Sequence, residues 1–250
     1  LWLKDGKGLT EGDAAITIKE SENQMSIDTG AAVFVINKQL LLPFEKVIIN
    51  GKDTFKNVLC ENRFVDQNDI EFKPSVKKII VERKDSMLRA KVRISGAYES
   101  ASGEAFASFM ADLNFHAGHS HVKFDFTLLN PQAAKHQGGL WDLGDAGSIF
   151  FKELAFLFKF NENKSIAWKE DGESIWKKES GESFSIYQES SGGRNWQGNN
   201  HKNKFGEVNL KLKGYRCQSD GAEIKKGERA TPFLYTEYRV GAINVHIDRF

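Results

Sequence analysis

Residues 121–130 read HVKFDFTLLN, and this stretch decides the fold class. Its apolar residues are Val122, Phe124, Phe126 and Leu128, and they alternate with Lys123, Asp125 and Thr127. Successive side chains of a β-strand point to opposite faces, so this alternation predicts a strand with one face on a core.

The same period of two recurs along the chain. It is clear in FFKELAFLFKF at 150–160 and in EVNLKLKGY at 207–215. Shorter β-rich runs are AAVFVI at 31–36, KVIIN at 46–50, SVKKIIVER at 75–83, LRAKVRIS at 88–95, FLYTEYRV at 233–240 and INVHI at 243–247. No window repeats apolar residues at the three-and-four spacing of a long helix. The pattern predicts an all-β protein, with a small β module followed by a larger β-sandwich.

A polar segment, ERKDS at 82–86, separates two of these strand-like runs. Polar connections are common at domain boundaries. We therefore expect a β module over residues 1–85 and a β-sandwich over residues 86–250.

The composition excludes two classes of partner. The 250 residues contain 35 Lys and Arg against 34 Asp and Glu, so no overall positive charge would draw the chain to nucleic acid. No apolar run approaches the roughly 20 residues that a membrane-spanning helix needs. The usual motifs of nucleotide-binding proteins, zinc peptidases and serine hydrolases are absent from the sequence.

The two cysteines, Cys60 and Cys217, lie far apart in the sequence. They are expected either to be buried thiols or to form one disulfide in an oxidising compartment. Free cysteine is among the residue types most often buried, which favours the first alternative.

The least core-like stretch is residues 187–206, YQESSGGRNWQGNNHKNKFG. It combines one large ring with amides, a cation and an imidazole, at Arg194, Asn195, Trp196, Asn200 and His201. A ring for stacking, amides for hydroxyl groups and a cation for a carboxylate suit a sugar site. An ordinary surface turn explains the same composition equally well, because turns collect Gly, Asn and Ser.

A second polar stretch, residues 130–151, contains His136, Trp141, Asp142 and Asp145. It either presents binding residues at one end of the sandwich or forms two tight turns whose amides the aspartates satisfy. We favour binding for Trp141 and turns for the aspartates. A Ca²⁺ site here would need six to eight oxygens, and two carboxylates are too few to specify it.

Three histidines lie close together in NFHAGHSHVKF, at His116, His119 and His121. If His119 and His121 share one strand face, their spacing suits zinc, but a third ligand is not evident. A hairpin with an exposed polar rim is the favoured interpretation, so no metal site is predicted at these histidines. No cofactor is predicted, with a divalent cation such as Ca²⁺ left open as the alternative.

The two polar stretches together carry a family resemblance. YQESSGGRNWQGNNHKNKFGEVNLKLKGYR at 187–216 and TLLNPQAAKHQGGLWDLGDAGSIFFKEL at 127–154 resemble the exo-rhamnogalacturonan lyases of polysaccharide lyase family 26. IDTGAAVFVIN at 27–37, KVRISGAYES at 91–100 and INVHIDRF at 243–250 resemble β-rich parts of such enzymes. The resemblance implies a barrel-like module, a central β-sandwich and a C-terminal α/α toroid. No segment of these 250 residues resembles the toroid. We therefore expect the chain to be the β-rich portion of a larger lyase, with the toroid as its catalytic partner.

The resemblance also implies β-elimination at a uronic acid of a pectic saccharide. That reaction needs a neutralised carboxylate, a base for the C5 proton and an acid for the leaving oxygen. On this basis Asn200 would neutralise the carboxylate and His201 would act as the base. Trp196, Arg194, Asn195, Trp141 and His136 would bind substrate. It further implies an extracellular or periplasmic location.

The sequence is also compatible with two alternatives to a lyase. The chain is also expected to suit a non-catalytic carbohydrate-binding or scaffold module that docks against a catalytic domain. A purely structural interaction domain is the third interpretation.

Overall fold

The computed structural model describes residues 15–82, 88–133, 135, 146–160, 164–179, 183–190, 198, 202, 205–208 and 212–247. All the secondary-structure elements within these ranges are β-strands, which confirms the predicted all-β class. The strands are β1 Thr17–Glu20, β2 Gln24–Asp28, β3 Val33–Asn37, β4 Lys46–Ile49, β5 Lys52–Asp53, β6 Val58–Asp66, β7 Glu71–Glu82, β8 Arg89–Glu99, β9 Ala105–His116, β10 Val122–Leu129, β11 Phe151–Phe160, β12 Lys164–Lys169, β13 Lys177–Glu179, β14 Phe184–Ser190, β15 Gly214–Ser219, β16 Ala222–Gly227, β17 Phe233–Tyr238 and β18 Gly241–His246.

The chain divides into two compact units. Unit 1 contains Leu1–Ala133 and Gly147–Asn161, and unit 2 contains Ala134–Ala146 and Glu162–Phe250. Unit 1 has a five-stranded sheet in the order β1-β2-β3-β4-β5 and a six-stranded sheet in the order β10-β9-β8-β7-β6-β11. Unit 2 has a four-stranded sheet, β13-β12-β17-β18, and a three-stranded sheet, β14-β15-β16.

The six-stranded sheet of unit 1 curves into a half-barrel. Its two edge strands are β10 and β11, yet Phe156 of β11 lies 5.1 Å from Phe124 and 5.2 Å from Phe126 of β10, between ring centroids. The inner face also holds Tyr98, whose hydroxyl donates a hydrogen bond of 2.9 Å to Asn62 Oδ1. Aromatic rings therefore fill the space that the curvature encloses.

The five-stranded sheet packs on this curved sheet through aromatic contacts. Phe34 of β3 and Phe115 of β9 have ring centroids 5.4 Å apart, and both side chains are buried. Inward-facing residues of β9 alternate strictly with half-buried ones, as expected for a strand in a two-layer β-structure. The contact gives unit 1 its sandwich architecture.

The strand at 122–129 matches its prediction, with half-buried and exposed side chains alternating along β10. The alternation predicted for 150–160 is interrupted, because the register between β11 and β6 shifts between Phe151 and Glu153. Residues 209–211 of the strand predicted at 207–215 lie outside the described residues. Val208 makes an isolated bridge with Lys202, and β15 begins at Gly214.

The boundary predicted near residue 85 falls inside one sheet. Residues 83–87 lie outside the described residues, but β7 before them pairs with β8 after them from Lys73↔Glu99 to Glu82↔Lys91. The polar ERKDS segment thus connects two neighbouring antiparallel strands, where turns are commonly polar. The two compact units divide much later in the chain than the predicted ranges 1–85 and 86–250.

Unit 2 is a smaller pair of sheets with its own core. Trp168 of β12 stacks on Phe184 of β14, with ring centroids 4.5 Å apart and planes at 26°. Tyr215, Cys217 and Ala230 are buried beside this stack. The inner faces of the four-stranded and three-stranded sheets therefore meet at Trp168. No helix among the described residues has the length and apolarity to cross a membrane.

Candidate functional site

The predicted sugar-binding loop connects two paired strands of unit 2. β14 and β15 run antiparallel from Phe184↔Ser219 to Ser190↔Gly214, so residues 191–213 join them at one end of the three-stranded sheet. The predicted residues of this loop, Arg194, Asn195, Trp196, Asn200 and His201, lie outside the described residues. Their roles stay predictions.

The described part of this connection contains a narrow turn. Lys202 and Val208 form an antiparallel bridge. Between them, Gly206 adopts a φ of 79°, which L-residues rarely adopt, and Phe205 is 74% exposed. The chain therefore reverses direction between Lys202 and Val208.

Two side chains on the strands that carry this loop form a cation–aromatic pair. Tyr187 of β14 and Arg216 of β15 are direct partners in the ladder, and the Arg216 guanidinium carbon lies 5.2 Å from the Tyr187 ring centroid. Their neighbours Ile186 and Cys217 face the core. Because adjacent side chains of a strand alternate, Tyr187 and Arg216 lie on the outer face. The pair places a cation and an aromatic ring within a few residues of the loop.

The Tyr187 and Arg216 pair is chemically suited to an acidic ligand. Tyr187 is 42% exposed, whereas the Arg216 Nε atom is buried and has no hydrogen-bond partner among the described residues. A guanidinium held over a ring presents its remaining N–H donors in a fixed orientation, which matches the geometry of a carboxylate. Sequence inspection assigned a role to neither residue, although Tyr187 begins the polar stretch 187–206, because the pairing of β14 with β15 is not visible in the sequence.

One hydrogen bond joins the two ends of the second predicted segment. Asn130 Nδ2 donates a 2.9 Å bond to the Gly147 carbonyl, which closes the ends of residues 131–146. Within that segment the predicted residues His136 and Trp141 lie outside the described residues, as do Asp142 and Asp145. Their predicted contacts with substrate are thus proposals.

The three histidines lie at the turn between β9 and β10. Ring centroids of His119 and His121 are 4.8 Å apart, and those of His116 are 6.4 and 6.0 Å from them. Burial, the nearby Arg89 and the two other imidazoles lower the pKa of His116. Among the described residues no group of three or more His, Cys, Asp or Glu is arranged to hold a metal ion.

Thr29 holds this histidine turn in place. Its hydroxyl donates a 2.7 Å bond to the His119 carbonyl, and its own carbonyl accepts a 2.6 Å bond from the Gly118 amide. His119 and His121 lie before the first residue of β10, so they do not share a strand face as the zinc alternative required.

Both cysteines are free and buried, which confirms the favoured interpretation. Burial raises the pKa of Cys60 and of Cys217 to about 11. A thiol with so high a pKa is almost entirely protonated at neutral pH and is a poor nucleophile or metal ligand. The cysteines therefore belong to the cores of the two units.

Comparison with models of protein families matches residues 16–152 to the central β-sandwich domain of PcRGLX-like proteins. This range is more than half of the 250 residues and coincides closely with unit 1. It begins earlier and ends earlier than the sandwich expected at 86–250. A comparison with curated proteins finds no match.

Proposed function

Because the chain belongs to the PcRGLX-like family, shown by the match to its central β-sandwich domain, we propose that it is the β-rich portion of a polysaccharide lyase. Its substrate would be a rhamnogalacturonan-type pectic saccharide, cleaved by β-elimination at a uronic acid. The family match is the observation that carries this proposal. The Tyr187 and Arg216 pair supports it, because it holds a cation where the predicted catalytic loop leaves the sheet.

The proposed reaction makes three demands on the protein. A base removes the C5 proton, the electron pair of that C–H bond forms the C4–C5 double bond, and the C4–O bond breaks as its oxygen gains a proton. Charge that develops on the carboxylate must be stabilised by a donor or cation. His201 is the proposed base and Asn200 the proposed carboxylate ligand, with Arg194 and Arg216 as cations near the same group.

Substrate binding is assigned to the aromatic and polar residues of the same two segments. Trp196 and Trp141 would stack on sugar rings, and Asn195 and His136 would bind hydroxyl groups. We propose that catalysis needs a C-terminal α/α toroid of the same protein, so this chain alone binds substrate without turning it over. An extracellular or periplasmic location belongs to the same proposal.

One observation favours a second candidate, a non-catalytic carbohydrate-binding or scaffold module. The family match ends at residue 152, and both Asn200 and His201 lie beyond it. In that case the loop would contact saccharide without chemistry.

Ultraviolet absorbance of the unsaturated product separates the two candidates. Rhamnogalacturonan oligosaccharides are incubated with a protein that carries both this chain and the toroid. The lyase proposal predicts that absorbance rises with time and that the reaction products contain a C4–C5 double bond. Saturable binding with no such product would contradict the lyase and support the module.

A further inference from the structure

A row of four side chains crosses the outer face of the four-stranded sheet in unit 2. Lys169 of β12 pairs with Phe233 of β17, which pairs in turn with His246 of β18. Trp176, which directly precedes β13, contacts Phe233 on the same face, with ring centroids 6.4 Å apart. These four residues, Trp176, Lys169, Phe233 and His246, are called the aromatic row. Strands in a sheet are spaced about 4.8 Å apart, so the row spans about 14 Å.

The rings of the aromatic row contact one another and are accessible. The His246 imidazole is exposed and lies flat on the Phe233 ring, with centroids 3.8 Å apart and planes at 9°. Trp176 is 44% exposed although it also contacts Tyr235, at 6.3 Å between ring centroids. The rings on this face of the sheet are thus the three of the row and that of Tyr235.

A cation lies among these rings. The Lys169 ammonium is 4.5 Å from the Phe233 ring centroid and 5.4 Å from that of Trp176. The neighbouring row of paired residues on this face is Lys178, Ala167, Tyr235 and Asn244, from β13, β12, β17 and β18 in that order. Lys178 and Asn244, at its two ends, are exposed. Positive charge and an amide therefore border the aromatic surface.

The turn that leads to Trp176 is fixed by local bonds. Asp171 Oδ1 accepts hydrogen bonds from the amides of Glu173, at 3.0 Å, and Ser174, at 2.7 Å. Lys169 Nζ donates a 3.0 Å bond to the Gly172 carbonyl. Beneath the turn, buried Glu170 pairs with Lys177 and Lys225. Little ordering is then needed when a ligand contacts Trp176.

We infer that the aromatic row is a second saccharide-binding surface, suited to a chain that contains uronic acid. Apolar faces of sugar rings would stack on Trp176 and Tyr235, and Lys169 and Lys178 would pair with carboxylates. Asn244 would bind hydroxyl groups. The choice of an acidic pectic ligand, as opposed to another acidic saccharide, rests on the proposed function.

The positive charge of Lys169 favours a saccharide over a protein as the partner of the aromatic row. The core of a protein interface is depleted of Lys, whereas here an ammonium lies between the rings. The row is also separate from the Tyr187 and Arg216 pair. It lies on the outer face of one sheet, and Tyr187 and Arg216 lie on the outer face of the other, with the Trp168 core between the two.

The test follows the indole N–H signal of Trp176 in an NMR titration of this chain. The signal is assigned by its loss in Trp176→Phe, and the added ligand is a rhamnogalacturonan oligosaccharide. A saturable shift of that signal is expected, and Trp176→Ala should lower the affinity measured by calorimetry about tenfold. Ile175→Ala is the matched control, because Ile175 is the adjacent apolar residue and 84% exposed. A signal that does not move overturns the inference, whether or not the proposed lyase forms product.

A second comparison tests the charge in the row. Lys169→Met removes the ammonium and keeps most of the apolar stem. It should weaken binding of the acidic oligosaccharide and leave binding of its carboxyl-reduced form nearly unchanged. Equal weakening for both ligands would contradict a role of Lys169 in binding carboxylates.

Discussion

The Arg216 guanidinium carbon lies 5.2 Å from the ring centroid of Tyr187, its direct partner across the β14–β15 ladder. The contact holds a permanent cation on the outer face of the sheet that bears residues 191–213. If this face meets an acidic saccharide, that cation must contribute to affinity.

Replacing Arg216 with Gln should therefore weaken binding of rhamnogalacturonan oligosaccharides. Loss of one charge-assisted hydrogen bond costs about 1.5–3 kcal/mol, or roughly tenfold or more in Kd. Isothermal titration calorimetry measures the change. Arg229→Gln is the matched control, since Arg229 is exposed in the connection between β16 and β17. Equal Kd values for both variants would exclude Arg216 from the binding surface.

His201 is the proposed base, so His201→Ala should lower kcat in the toroid-bearing protein. General base catalysis contributes about 10²–10⁴-fold, and a loss of that size is expected while KM changes little. Product absorbance gives both constants. His121→Ala, an exposed histidine in unit 1, should behave as wild type. Near-normal turnover of His201→Ala would remove this residue from the mechanism.

Asp112 should stabilise unit 1 in a pH-dependent way. Its two oxygens accept 2.7 Å bonds from Arg93, and this pairing holds the pKa of the carboxyl below its usual range. Asp112→Asn should lower the unfolding free energy at neutral pH by about 1 kcal/mol. The stabilisation is present above the unfolded pKa of about 3.9 and is lost as the pH falls through the lower folded pKa. Urea unfolding at several pH values measures it.

Asp125→Asn is the control for this prediction. Asp125 lies directly opposite Asp112 on β10, but its side chain is 52% exposed and its ion pair with Lys123 is 3.2 Å long. The change should stay within about 0.5 kcal/mol. If both variants lose the same stability, the paired geometry of Asp112 has no special effect.

Gly96 should be intolerant of any side chain. A Cβ atom at this position would lie 2.0 Å from the Ser75 carbonyl oxygen and 2.7 Å from Phe109 Cζ. Because Phe109 is buried and Ser75 contributes backbone, Gly96→Ala should cost about 1–3 kcal/mol or more. The midpoint of urea denaturation reports the loss. Gly172→Ala, with nothing within 4 Å of its Cβ position, should leave the midpoint nearly unchanged. A Gly96→Ala midpoint equal to that of the wild type would show that Ser75 and Phe109 can move to accommodate the added methyl group.

The fold class was predictable because strand signals are local. The alternation at Val122–Leu129 requires only that one face of a strand be buried, and the burial of β10 follows it. The bulge between Phe151 and Glu153 was not predictable, because it depends on how β11 pairs with β6, nearly a hundred residues earlier. The polar segment at 82–86 lies between two paired strands, β7 and β8. Polarity marks a turn and a linker alike, and only strand pairing distinguishes them.

The candidate binding surfaces divide in a similar way. The polar loop around Trp196 is visible in the sequence because its unusual residues are contiguous. The aromatic row is not, since Lys169, Trp176, Phe233 and His246 come from four segments that register alone brings together. Its one local signal was the alternation of Phe233 and Tyr235 on β17, which is equally typical of a core face.

Recognition of a rhamnogalacturonan saccharide by this chain is the central claim, and calorimetric titration of the purified chain with such oligosaccharides tests it most directly. The account predicts saturable heats that Arg216→Gln weakens, without release of unsaturated product in the absence of the toroid. No measurable binding of the folded chain, at any oligosaccharide length, would contradict it.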